Sequence, residues 1–481
     1  MDLAEENKQL REEIVELKQR IKELEALLKQ NSDNSNWPPS RDKSRKKKKR
    51  TRSMRKKSNK KAGGQPGHKG HTLEMSEKPD HVEHHRPESC AHCQSVFDPE
   101  QEAVETARRQ VIDIPPIQTE VTEHRSETLS CAHCGQETSG SFPEDVTNPV
   151  QYGPRIKQVG VYLKIEQLLP YDRTRQCLED LFQVYLSPGT LQNTVRKAAK
   201  RLKPIVKNIR DKIAAADVGH FDETGFYIGG TRHWLHSSST DGLTYYFPHR
   251  SRGRKATEEA GILSSFRGTA VHDNWATYWL YQACKHGLCN AHHLRNLTAI
   301  EEIEQQHWAT HIKALLRSAK HLVEVAKESG LDALPAAKIE QVERIYDKLV
   351  KLALLKNQPP EGGWPTGKRG RPKKTKPRNL AERFQKRRTA VLAFVYDFKV
   401  PFDNNLAERD IRMLKVQQKI SGCFRSQQGA KDFCIIRSYI SSMRKQEYNI
   451  WEALGSVFSE QIHSPIPITP VQLLRFFIFF S

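Results

Sequence analysis

Two identical tetrapeptides, Cys90-Ala-His-Cys93 and Cys131-Ala-His-Cys134, stand with 37 residues between them in a chain of 481. Each Cys-x-x-Cys offers two thiolates from one tight turn, and two such turns complete the tetrahedron that one structural zinc ion accepts. That requirement constrains residues 81–147 more tightly than any apolar pattern could, and it predicts a four-cysteine zinc-binding domain there. His92 and His133 are rival ligands, but four cysteines already fill the shell; a redox pair is the competing reading. The interval carries strand-like residues (Val111-Ile112-Asp113-Ile114, then Thr119 to Thr122), as in a zinc ribbon. Nine cysteines in a chain whose acidic-polar start does not read as a secretory signal suit a reducing compartment, where clustered thiols hold metal. No run approaches about 18 consecutive apolar residues, so no membrane span is expected.

Leu3, Leu10, Leu17 and Leu24 recur every seventh residue, and Asn7, Ile14, Ile21 and Leu28 follow each by four. Leucine at d with isoleucine at a favours a parallel two-stranded coiled coil, and Asn at one a position fixes register. The g residues Glu6, Glu13 and Arg20 then face Arg11, Lys18 and Glu25 of the partner helix, each pair opposite in charge. The expectation is a leucine-zipper coiled coil over residues 1–30, making a homodimer or higher homo-oligomer through residues 3–28. Asn31-Ser-Asp ends the helix, and Pro38-Pro39 prevents its resumption.

Residues 31–80 are polar and rich in Lys, Gly and Pro, a basic disordered linker on composition. Between Arg41 and Lys61, 14 Lys/Arg face one acid, Asp42, so this arm carries +13 of the chain's net +21. Such an arm suits a polyanionic partner such as nucleic acid. A solvating or anionic-lipid-binding run is the alternative.

Within residues 148–212, Arg173 to Tyr185 has a helical pattern, and Ser187-Pro188 supplies an N-cap with Pro at the first helical position. The helix that follows is expected to reach about Lys203 and carries Arg196, Lys197, Lys200 and Arg201. A helix-turn-helix reading DNA and a plain helical linker both fit.

From Ala214 the pattern becomes that of a sheet. A short run ends in Phe221-Asp222-Glu223-Thr224; Arg232 to Ser239 and Leu243 to Pro248 follow as two more strand-like runs. A helical stretch, Ala256 to Phe266, leads to Gly268-Thr-Ala-Val-His-Asp273, and a further segment to Gly287-Leu-Cys-Asn-Ala-His-His293. This β-β-β-α-β-α-β order is that of a ribonuclease-H-like sheet, in which the first and fourth strands are central neighbours. Asp222 and Asp273 should then project side by side. Paired carboxylates joined by a third acid suit two hard divalent ions about 4 Å apart, which stabilise both oxygens of an in-line phosphoryl displacement. The third acid is expected on a later helix: in Phe402-Asp-Asn-Asn-Leu-Ala-Glu408-Arg-Asp-Ile-Arg412, Asn404 or Asn405 can cap and Glu408 lies in the first turns. Lys415 falls two turns beyond Glu408 on the same face, placed to touch substrate phosphate. Glu223 is the rival to Asp222, but it should point off the opposite side of the strand.

Beyond pattern, the chain resembles the transposases of the insertion-sequence-66 family over roughly residues 1 to 460. The matching pieces are the zipper; Asn31-Ser-Asp-Asn-Ser with Pro38-Pro-Ser; Gly63-Gly-Gln-Pro-Gly-His-Lys-Gly-His71; the double Cys-x-x-Cys; and Leu169-Pro-Tyr-Asp-Arg173. Asp222-Glu-Thr, His272-Asp-Asn-Trp275 and Asn404-Asn-Leu-Ala-Glu-Arg409 complete the set. The resemblance implies a DNA transposase of the Asp-Asp-Glu type that cleaves transposon ends and joins them to target DNA. Its catalytic trio would be Asp222, Asp273 and Glu408, holding two Mg²⁺ or Mn²⁺ ions, with Arg409, Arg412 and Lys415 near substrate DNA. Double-stranded DNA and accessory proteins of the same element are the implied partners, and the bacterial cytoplasm, at the nucleoid, the implied location. A non-catalytic DNA-binding protein using the zipper, zinc domain and arm is the alternative.

Cys289-Asn-Ala-His292 is similar to the Cys-x-x-His signature of several transposase families; with two candidate ligands, a structural role is expected over metal binding. The implied architecture is multidomain, α+β and α/β: coiled coil, zinc-ribbon-like domain, and a ribonuclease-H-like core split into residues 213–300 and 381–460 by a helical insertion and basic loop over 301–380. That loop holds Arg369-Gly-Arg371-Pro, similar to an AT-hook core that lies in an A·T-rich minor groove, though a simple basic linker also fits. Residues 461–481 depart from the family's usual ending, as a frameshifted or truncated element would.

Overall fold

The computed structural model describes residues 73–104, 107–364 and 374–465, with Ile14, Leu17, Lys18, Ile21, Leu24, Glu25, Leu28, Lys29, Gln30 and Asn34 before them. The arm of residues 41–61, the Arg369 and Arg371 segment and residues 466–481 lie outside that set. The chain divides into two compact units, residues 49–121 and residues 1–48 with 122–481.

In the smaller unit Ser89 and Val96 bridge antiparallel around the first cysteine turn. Cys90 N–H donates to Ser95 O at 2.9 Å and Gln94 N–H to Cys90 O at 2.9 Å, while Gln94 takes a left-handed φ of 62°. The larger unit repeats the same local plan between β1 (Thr128–Ser130) and β2 (Glu137–Ser139). Cys131 N–H donates to Gln136 O at 2.8 Å and Gly135 N–H to Cys131 O at 2.8 Å, with Gly135 at φ 73°. Each turn thus closes on a left-handed residue directly after its second cysteine. The strands expected at 111–114 and 119–122 do not form: Val111, Ile112, Ile114 and Val121 are exposed and without a pairing strand among the described residues. Pro115-Pro116 sit between them without N–H groups to donate, and the strands form instead beside the second turn.

Helix α1 (Pro154–Val161) begins the main body, followed by α2 (Tyr171–Phe182) and α3 (Pro188–Ala214). Ser187 caps α3 by accepting from Thr190 N–H at 3.0 Å. This helix does not stop near Lys203 but runs through Pro204. Pro204 lies on the exposed face, where the carbonyl it leaves unbonded can turn to water. Leu191, Val195, Ala198, Leu202, Val206, Ile209 and Ile213 are all buried, so tertiary packing carries the helix past a residue that local propensity would end it on. Arg196, Lys197 and Lys200 line its outer face.

The sheet comprises β3 (Val218–Ile228), β4 (Thr231–Ser239), β5 (Thr244–His249), β6 (Thr269–His272) and β7 (Lys285–Leu288), in the order β5-β4-β3-β6-β7. The first three are antiparallel; β6 joins β3 in parallel and β7 joins β6 in parallel. The first run therefore does not end at Asp222 but continues six residues to Ile228, because β4 pairs with it as far as the Ile228–Thr231 register. Helix α4 (Arg254–Ala260) is the only α-helical part of the longer stretch expected before β6. Gly268 admits β6 beside β3, since a Cβ there would lie 2.4 Å from the carbonyl oxygens of Ala216 and Asp217.

After β7 come α5 (Asn290–Ile303), α6 (His307–Glu328), α7 (Ala336–Lys356) and α8 (Lys376–Lys386), whose apolar faces make a core of their own around Ile312, Leu316, Tyr346 and Phe384. Two helices return to the sheet: α9 (Asn405–Ser421) and α10 (Gln427–Lys445). Helix α10 covers the edge strand β5. Ser442 and Ser438, one turn apart, accept from the N–H groups of Thr244 and Tyr246 at 2.9 Å each, so edge donors left over by the sheet are satisfied by serine hydroxyls.

Candidate active site

Strands β3 and β6 are paired in parallel with His220 opposite Val271, and the same register carried two residues further puts Asp222 opposite Asp273. The pairing follows from the apolar runs on both strands, with Phe221, Ala270 and Val271 all buried. Asp273 immediately follows β6 and turns the chain: its Oδ1 accepts from Trp275 N–H at 2.9 Å, and Asn274 beside it has φ 75°. Behind the turn, buried His272 accepts from Asn274 N–H at Nδ1 (3.1 Å), which leaves Nε2 to donate to His286 Nδ1 at 3.0 Å. His286 Nε2 in turn donates to Tyr281 O at 3.1 Å. Burial, then the neighbouring His286, holds His272 well below the usual imidazole range, so this relay is neutral and fixes the end of β6.

Asn404 brings in the third acid. By position it is the N-cap of α9, yet its side chain makes no cap, contrary to the sequence expectation. It is buried and spans to β3 instead: Nδ2 donates to Phe221 O at 2.9 Å and Oδ1 meets His220 Nδ1 at 2.8 Å, while its backbone N–H points to Cys289 Sγ at 3.1 Å. His220 and Asp222 share a strand face by alternation, so this clamp sets the first turn of α9 against the Asp222 side of the sheet. Glu408 lies in that turn. Burial first, then the negative charges of Glu223, Asp273 and Glu408, push the Asp222 carboxyl well above the ordinary carboxylate range. Three acids within electrostatic reach of Asp222, itself strongly disfavoured as an anion, form with it a site that a multivalent cation would relieve. Glu408 Oε1 is buried without a hydrogen-bond partner among the described residues; His292 Nε2 and Arg295 Nη2 approach it only to 3.7 and 3.8 Å.

Glu223 is differently employed. Its Oε1 receives Arg252 at 2.6 Å and its Oε2 the Tyr278 hydroxyl at 2.5 Å. Arg252 is itself sandwiched, 4.9 Å from the Trp234 ring and 4.4 Å from the Trp275 ring. No local pattern announced Arg252, in a loop, or Tyr278, in the short 3-10 helix Ala276–Leu280; only the Trp275 of the His272-Asp-Asn-Trp string pointed there. Farther along α9, Arg409 and Arg412 are exposed, and Asp410 turns inward to accept from Ser239 (2.6 Å), Thr244 (3.0 Å) and Lys445 (2.8 Å). Lys415 donates to the Gly225 carbonyl at 2.6 Å, fastening α9 along β3.

At the cysteine turns, the Ser95 hydroxyl and N–H, with Cys90, draw the Cys93 thiol down to about 7, and backbone N–H groups of Cys134 and His133 lower that of Cys131. All four cysteines are free and at least partly exposed.

A model of the IS66 transposase family matches residues 149–432, more than half of the chain. The chain belongs to the IS66 transposase family. The zinc-finger binding domain of the same family matches residues 87–135, spanning both Cys-x-x-Cys turns. Residues 2–74 match a family of unknown function (DUF6444). No curated protein matches the chain. As an IS66-family transposase it carries a zinc-binding domain ahead of a mixed helix and sheet domain, and no helix among the described residues is long and apolar enough to cross a membrane.

Proposed function

We propose that the chain catalyses metal-dependent phosphodiester cleavage at transposon ends and strand transfer into target DNA, with Asp222, Asp273 and Glu408 as the acid trio of a ribonuclease-H-like core. The observation that carries this reading is that β6's end and α9 bring Asp273 and Glu408 within electrostatic reach of Asp222 on β3, a carboxyl pushed up first by burial and then by Glu223, Asp273 and Glu408. Mixed sheet order and parallel β3–β6 pairing support the core assignment. Two Mg²⁺ or Mn²⁺ ions, when bound, would activate water or a 3′-hydroxyl and neutralise the charge developing on the transferring phosphate.

The protein's part is placement. Asp222 sits mid-strand, where pairing with Ser237 of β4 fixes its backbone, and Glu223 N–H donates to Asp222 Oδ1 at 2.9 Å. The neutral His272 relay holds the turn that presents Asp273, and Asn404 holds the helix turn that presents Glu408. Arg409 and Arg412 on the exposed side of α9 would meet DNA phosphate, as would Arg369 and Arg371. Lys415 would do so after leaving the Gly225 carbonyl. Cys90, Cys93, Cys131 and Cys134 would hold one structural zinc. The lowered thiols of Cys93 and Cys131 and the repeated turn geometry suit that ion, whose binding requires thiolates. Residues 3–28 would pair two or more copies, and the basic arm would bind DNA in the bacterial cytoplasm, with accessory proteins of the element as further partners.

The test is an assay of purified protein on end-containing DNA with Mg²⁺. Cleavage lost in Asp222→Asn, with binding retained, is the expected result. Equal behaviour of wild type and variant would leave a DNA-binding protein without this chemistry.

A further inference from the structure

We propose that Cys289, His292 and Glu408 form a second metal site, selective for a zinc-class ion, whose occupancy withdraws Glu408 from the acid trio. The withdrawal rests on the function proposed above; the site does not. One donor atom from each residue lies within 4.8 Å of the other two. Cys289 closes β7 and precedes α5, His292 lies in the first turn of α5, and Glu408 comes from α9, so three elements converge. The sequence offered only two ligands here; the fold supplies the third.

Zinc bonds of about 2.0 to 2.3 Å in tetrahedral array put ligand atoms roughly 3.5 Å apart. His292 Nε2 and Glu408 Oε1 are already 3.7 Å apart, and the Cys289 sulfur belongs to the same group, within 4.8 Å. Glu408 Oε1 is buried without a hydrogen-bond partner among the described residues, an expense that native interiors rarely tolerate without a ligand or water. The mixed sulfur, nitrogen and oxygen set disfavours Mg²⁺, which prefers oxygen alone, and favours zinc. Charge also balances. A dication held by a neutral imidazole, one thiolate and one carboxylate makes a neutral complex suited to a partly buried place. The Cys289 thiol proton passes to solvent as the sulfur–metal bond forms. The Asn404 N–H at 3.1 Å from Sγ would remain as a donor to the thiolate.

The experiment is zinc titration of the full-length protein, reduced and without DNA, with bound metal counted by elemental analysis. Two zinc per chain are expected in wild type. One should remain in Cys289→Ala, one in His292→Gln, and one in Cys90→Ser with Cys134→Ser; circular dichroism identifies any variant that fails to fold, and the other then decides. A single zinc in wild type, or two in folded Cys289→Ala and His292→Gln, overturns the site. Added zinc should also suppress Mg²⁺-dependent end cleavage by wild type. Two zinc without Mg²⁺-dependent cleavage would sink the proposed function and spare the site; cleavage with one zinc would do the reverse.

Discussion

The side-chain amide of Asn404 donates to the carbonyl of Phe221 across 183 positions of sequence, at 2.9 Å, and so ties the helix that bears Glu408 to the strand that bears Asp222. Both ends are buried, so neither group can turn to water if the bond is lost. Asn404→Ala should therefore lower the unfolding free energy by about 1 to 3 kcal/mol, the cost of orphaning the Phe221 carbonyl and His220. End cleavage should fall further than stability does, because Glu408 loses its reference to Asp222. Denaturant titration beside a cleavage assay checks both; an unchanged midpoint with unchanged cleavage would refute the clamp.

Asp222 makes a prediction about pH. Its carboxyl is held well above the ordinary range by burial and by Glu223, Asp273 and Glu408, so the folded state binds its proton more tightly than the unfolded chain does. Stability from this group is then present below about pH 3.9, the usual Asp value, and is lost as pH rises through the folded-state value. Without added divalent ions, Asp222→Asn should melt above wild type at neutral pH, and the gap should close on acidification. Mg²⁺ should raise the melting temperature of wild type and leave the variant nearly unmoved. Thermal melts at several pH values, with and without Mg²⁺, decide it; a variant less stable than wild type at neutral pH would contradict the crowding.

Much of this site was legible because strands leave strong local marks. The runs 232–239 and 243–248 appear as Thr231–Ser239 and Thr244–His249, and the neighbouring of first and fourth strands followed from element order. Errors arose where distant packing overrode local signals. Pro204 should end a helix by propensity, but eight buried apolar side chains carry α3 on to Ala214. Asn404 reads as a cap because Asn before a helical run caps helices; its amide is drawn away by a carbonyl of another strand. Val111 to Ile114 has strand composition, yet a strand needs a partner, and sequence cannot say that none is there. The Arg252–Glu223–Tyr278 network joins three residues with no shared period, so no pattern could assemble it.

The basic arm should contribute affinity and little specificity. Residues 41–61 contain no aromatic side chain to stack on a base and no period to present a reading face. Their contacts should be with phosphates, each adding roughly 0.9 to the slope of log affinity against log salt. Deleting the arm should flatten that slope by several units and leave the ratio of end DNA to random DNA nearly constant. Titrations on both DNAs at four salt concentrations measure the two quantities separately, and a collapse of the ratio would show that the arm reads sequence.

The N-terminal helix makes the last prediction. Ile14, Leu17, Ile21, Leu24 and Leu28 are helical and between 46% and 74% exposed, although they are the a and d positions of the heptad pattern. Their 3-4-3-4 spacing places them on one stripe, and among the described residues none buries it. An apolar stripe of this kind is stable in water when a second helix buries it, each large side chain contributing about 1.5 to 3 kcal/mol on full burial. Replacing Leu17 and Ile21 together by Asp should put two charges into that seam and convert an oligomer to a monomer at concentrations where wild type is fully associated. Exchanging the charges of Glu13 and Lys18 in one chain should leave self-pairing nearly intact, because the opposite-charge g–e contact is preserved with its sign reversed. The swapped chain should pair poorly with wild type, where like charges would meet. Sedimentation equilibrium on each protein reads the first two outcomes, and retention of untagged wild type by an affinity-tagged swapped chain reads the third. A wild type that sediments as a monomer, or a double Asp variant that stays associated, would place the contact between copies elsewhere on the molecule.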